Sequence, residues 1–104
     1  MAYPIDKIFH KKLIQSMSYK LLVDILGWLG SIEVVLAYAL ISAKKMSPNS
    51  KIYQWLNISG ALFLIANTLF YGAFPSATVN VIWVVIGWVA LVKIYFPNQL
   101  TTED

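Results

Sequence analysis

Ser31-Ile32-Glu33-Val34-Val35-Leu36-Ala37-Tyr38 places a carboxylate near the middle of an otherwise apolar run, residues 25–43. As a helix rising ~1.5 Å per residue, that run is long enough to cross a hydrocarbon core of roughly 30 Å. An ionised side chain at that depth opposes insertion by about 3 kcal/mol or more. Glu33 is therefore expected to be protonated, hydrogen-bonded within the protein, or turned toward a wet cavity as an acceptor or proton carrier. A neutral buried acid bonded to a carbonyl or a tyrosine hydroxyl is the plain structural alternative.

The remaining composition sets the class. Of 104 residues, 59% are apolar and 12% charged, and the mean hydropathy is +0.66. An average globular chain is about a quarter charged, whereas here three apolar runs contain one charge, Glu33, deep inside them. This is the pattern of an integral membrane protein with lipid as its solvent. Eight lysines, no arginine and five acids give +3, with the lysines at the ends of the runs. The aromatics lie inside the runs rather than among the lysines, so a nucleic-acid partner is not expected. There is no cysteine, hence no disulfide framework or thiol chemistry. Residues 1–19 lack the continuous apolar core and small-residue cleavage site of a signal peptide, so insertion is expected to use a span that stays.

Read in order, residues 1–21 form an amphipathic segment. Ile5, Ile8, Phe9, Leu13 and Met17 recur at helical spacing among Lys7, His10, Lys11 and Lys12, which suits a helix lying at a membrane surface. A first span over 25–43 follows, with Gly27, Gly30, Ser31 and Ala37 as small residues for close helix packing. Met46-Ser47-Pro48-Asn49-Ser50 is a polar turn, and Ser50 is placed to cap the next helix. The second span, 53–74, carries Asn57, Gly60, Leu64, Asn67 and Tyr71 at steps of three, four, three and four, one helix face with Ala61 beside it. Two amides on that face cannot be left to lipid. A tight turn at Phe74-Pro75-Ser76 leads to a third span, 76–96, whose Ser76, Asn80, Trp83 and Gly87 also share a face. The tail, 98–104, is polar. The expected fold is all-α: an integral membrane protein with three transmembrane helices preceded by an amphipathic interfacial helix, as a domain over 22–97. The lysines divide four against four between the two sides, and their closeness to the span ends favours a cytoplasmic first loop and C-terminus.

The polar stripes supply the candidate binding residues: Glu33 with Tyr38, then Asn57, Asn67 and Tyr71, then Asn80 with Trp83. Three helices make too small a bundle for a passage, so a second protomer would complete one. The sequence thus points to a homo-oligomeric, in the simplest case dimeric, carrier or channel for a small polar solute, with asparagines for hydroxyl groups and Trp83 for a ring. The alternative is an accessory subunit docking the same faces into a larger membrane complex, since asparagines in spans also serve as interhelical glue. Catalysis is not expected, because no Ser/His/Asp set, paired carboxylates or phosphate loop is present. His10 has no metal partner at ligand spacing, and no cofactor or metal is expected.

Leu26-Gly27-Trp28-Leu29-Gly30 leading to Leu36-Ala37-Tyr38, then Leu56-Asn57-Ile58-Ser59-Gly60-Ala61 and Asn80-Val81-Ile82-Trp83, resemble a family of small uncharacterised bacterial membrane proteins with three predicted spans. That resemblance covers residues 25–95 and implies a multi-pass protein of the inner membrane. More distantly, the plan is similar to the SemiSWEET sugar half-transporters of the PQ-loop superfamily, three-helix protomers that pair around a solute. That likeness would put Asn80 and Trp83 at the solute. Ala37-Tyr38 stands near the place of that superfamily's Pro-Gln pair.

Overall fold

Between Lys20 and Ile25 the chain has no glycine or proline, and Leu21, Leu22 and Val23 carry the helix across. Lys20 reaches one turn ahead to Asp24, Nζ to Oδ2 at 3.0 Å, an i,i+4 pair that ties the two turns together. In a computed structural model, which describes residues 4–97 with side chains from residue 7, this stretch is uninterrupted helix. α1 runs Pro4–Ser42, followed by α2, Lys51–Phe70, and α3, Phe74–Tyr95. The tail 98–104 lies outside the described residues.

Two expectations are corrected by this architecture. The amphipathic segment and first span are one helix of 39 residues, because the junction offers nothing to end it. The described residues form three helices, of which two, Lys7–Ser42 and Phe74–Tyr95, are long and apolar enough to cross a membrane. α2 is not a third, since Gln54, Asn57, Ser59, Asn67 and Thr68 dilute its apolar side chains.

The helix ends follow from local chemistry. Lys44 takes a left-handed backbone, φ 58°, and the N–H groups of Lys44 and Lys45 fold back onto the carbonyls of Ile41 and Leu40, closing α1. Ser50 caps α2 as expected, its hydroxyl accepting from the Tyr53 N–H at 3.3 Å. The turn into α3 comes earlier than expected, at residues 71–73. Gly72 supplies positive φ, +70°, at little steric cost, and the Ala73 N–H closes on the Thr68 carbonyl. Pro75 then sits in the first turn of α3, where its missing N–H costs nothing.

The three helices lie in one layer. α2 packs on both neighbours, whereas no α1 residue comes within 8 Å, Cα to Cα, of α3. Gly30 and Gly60 meet back to back where α1 crosses α2. A Cβ on Gly30 would stand 2.6 Å from the Gly60 carbonyl oxygen, and one on Gly60 would stand 2.9 Å from Val34 Cγ2. Ala37 and Ala61 are fully buried in these seams. Residues 7–22 of α1 are exposed throughout and extend beyond the hairpin.

Candidate functional site

In the seam between α1 and α2 three of the seven candidates, Glu33, Asn67 and Tyr71, are consumed. The Ser59 hydroxyl donates to Glu33 Oε2. Asn67 Nδ2 donates to the Val23 carbonyl at 3.0 Å, and Gly27 leaves room for that amide. At the end of the seam the Tyr71 hydroxyl donates to Asp24 Oδ1, which holds the Tyr71 phenol above its usual range. Each of these bonds joins helices distant in sequence. None leaves its group free for a solute without giving up packing.

The seam between α2 and α3 is different. Here Tyr53, Gln54 and Asn57 of α2 face Trp83 and Gly87 of α3 across a cavity of about 140 Å³, with Pro48 above. Gly87 permits the approach, since a Cβ there would fall 2.8 Å from Ile58 Cγ1. Gln54, 7% exposed, donates its Nε2 to the Pro48 carbonyl at 2.9 Å. Asn57 is 6% exposed as a residue; its side chain makes no hydrogen bond among the described residues, and its amide atoms are not sealed off but open to the cavity. Buried amides are ordinarily paired. An Asn amide offers two donors and two acceptor sites, so the cavity holds hydrogen-bonding capacity that the chain itself does not use. Trp83, 44% exposed, forms the opposite wall.

The structure therefore brings together Asn57 and Trp83 out of the seven candidates. Glu33 and Asn67 are bonded in the other seam. Tyr71 is at its end, and Tyr38 stands on the outer side of α1, 71% exposed. Asn80 turns back on its own helix, Nδ2 to the Ser76 carbonyl at 3.0 Å. Gln54 was missed. It precedes Asn57 by three residues, and that spacing alone puts it on the same side of the helix. Among the packing residues, Gly27, Gly30, Gly60 and Gly87 lie in the seams, and Ser31 borders a second depression with Asp24, Trp28, Leu64 and Asn67. No cluster of three or more His, Cys, Asp or Glu side chains able to hold a metal exists among the described residues.

No curated protein and no solved structure matches the chain. The likeness to the SemiSWEET half-transporters finds no support in the comparisons, so no residue takes a role from it. A family model matches residues 23–99, starting where α1 first meets α2, and the chain belongs to that family, an uncharacterised bacterial one.

Proposed function

We propose that this chain is a small multi-pass protein of the bacterial inner membrane that, as a homo-oligomer, binds and carries a small neutral hydrogen-bonding solute between α2 and α3. The observation that carries the reading is Asn57, whose side chain has no hydrogen-bond partner among the described residues and whose amide opens on a cavity beside an indole. No charged side chain lines that cavity, so an ionic solute would lose its hydration without compensation. Its volume, about 140 Å³, matches roughly five waters at ~30 Å³ each, the scale of glycerol or urea. Trp83 would cover the apolar face of such a solute, while Asn57 and the free oxygen of Gln54 would meet its polar edge.

Purified protein in liposomes is expected to pass glycerol or urea faster than empty vesicles. Asn57→Leu and Trp83→Ala should each lower that flux by about tenfold, the effect of losing one well-made contact of about 1.4 kcal/mol. Wild-type flux in both variants would remove the site.

A second reading, an accessory subunit docked into a larger membrane complex, draws on a separate feature. The part of α1 beyond the hairpin leaves Ile8, Phe9, Ile14 and Met17 exposed, more apolar surface than an isolated helix keeps bare in water. Its mark would be a membrane-protein partner that co-purifies with the full chain and is lost when Phe9, Leu13 and Met17 are changed together to serine.

A further inference from the structure

The depression at Asp24 and Trp28 and the cavity at Trp83 open on the same side of the helix layer. Tyr53, Asn57, Leu64 and Asn67 succeed one another at steps of four, seven and three on α2, which places them along one face. The depression at Asp24, Trp28 and Ser31 is reached from Leu64 and Asn67, and the cavity at Trp83 from Tyr53 and Asn57. Leu62 and Ser59 fall on the other side of α2, and so does the Ser59–Glu33 bond. One side of the layer is thus grooved, amide-floored and edged by aromatics, Trp28 at 74% exposed on α1 and Trp83 on α3.

We propose that a second copy of this chain seats on the grooved side, with a two-fold axis over α2, so that each copy closes the other's Asn57 cavity. Acyl chains cannot pair the amide, so lipid is a poor cover for it. An identical grooved side opposite brings a second amide and a second indole to the same space, and because the patch is the same on both copies the contact closes as a dimer. The area is sufficient. Three helices side by side, roughly 9 Å between axes and each about 10 Å across, along a 20-residue helix at ~1.5 Å per residue, give a face on the order of 800 Å² per copy, what a standard stable interface buries on each side. The hollow between two grooved floors would be enclosed and lined by Asn57 and Trp83 of both copies, which neither copy achieves alone. The assignment rests on the homo-oligomeric part of the proposed function and not on the identity of the solute.

Because the chain has no cysteine, single-cysteine variants report contacts between copies only. Val35→Cys on α1 and Val79→Cys on α3 lie along the grooved side, at helical steps from Trp28, Ser31 and Trp83; Leu62→Cys on α2 and Val81→Cys on α3 lie away from it. All four positions are exposed in the single chain, so folding is preserved. With a short bis-maleimide in liposomes and without solute, Val35→Cys and Val79→Cys are expected to give a cross-linked dimer several-fold above the other two. Equal yields on the two sides, a preference for Leu62→Cys and Val81→Cys, or monomer throughout would overturn the assignment. Absence of glycerol or urea flux alongside the expected cross-links would reject the solute reading and leave the dimer standing.

Discussion

The seam between α1 and α2 and the seam between α2 and α3 use similar residues to different ends. In the first, glycine meets glycine, and each polar side chain that crosses finds a partner on the other helix: Ser59 on Glu33, Asn67 on Val23, Tyr71 on Asp24. In the second, Gly87 meets the Ile58 side chain rather than another backbone, Gln54 bonds to the loop, and Asn57 has no side-chain partner among the described residues. The stitching across this seam is at the same end as the cavity, where Trp55 Nε1 lies 3.5 Å from the Tyr95 hydroxyl and the Trp55 ring packs edge-on against Trp88. An amide in an apolar helix is therefore not informative by its identity. What separates glue from a binding group is whether the opposite helix supplies a complement.

The difference can be broken most severely at the first seam. Gly30→Val would push a side chain against the Gly60 carbonyl, and backbone cannot swing aside. A loss of about 3 kcal/mol or more is expected, read as a fall in the denaturant needed to unfold the protein in micelles. Gly87→Ala tests the second seam in the same assay and should cost less, about 1 kcal/mol, since the atom it meets belongs to the flexible Ile58 side chain. Equal costs would mean that the seams are equally rigid.

Substituting the asparagines sharpens the contrast. Asn67→Leu removes an interhelical bond and leaves the Val23 carbonyl without it, a loss of about 0.6 to 2 kcal/mol. Asn57→Leu removes an amide with no partner and should leave stability within about 1 kcal/mol of wild type or raise it, while solute flux falls. The opposite ranking would make Asn57 the structural residue. Glu33→Gln is expected to have the smallest effect, because a carboxamide can still accept from Ser59; Glu33→Leu should exceed it in the same unfolding assay.

Much of this was legible in the sequence, and the reasons are local. The Ser50 cap, the small residues Gly30 and Gly60, and the stripe from Asn57 to Tyr71 all follow from helical spacing. The amphipathic segment and the first span are one helix because the residues between Lys20 and Ile25 allow continuous helix, and the number of spans falls to two because the polar residues of α2 lower its hydropathy. The pairing of Glu33 with Ser59, 26 residues apart, depends on how far each helix is rotated about its axis when it packs. Periodicity gives the face a residue shares and leaves open which partner that face will meet.

The bond from Gln54 to the Pro48 carbonyl has a consequence for signalling across the layer. That amide belongs at once to the wall of the cavity and to the anchor of the connection between α1 and α2. Were the proposed solute to draw the Gln54 amide to itself, the connection would be untied, and occupancy between the helices would be read out as motion of the loop at Pro48.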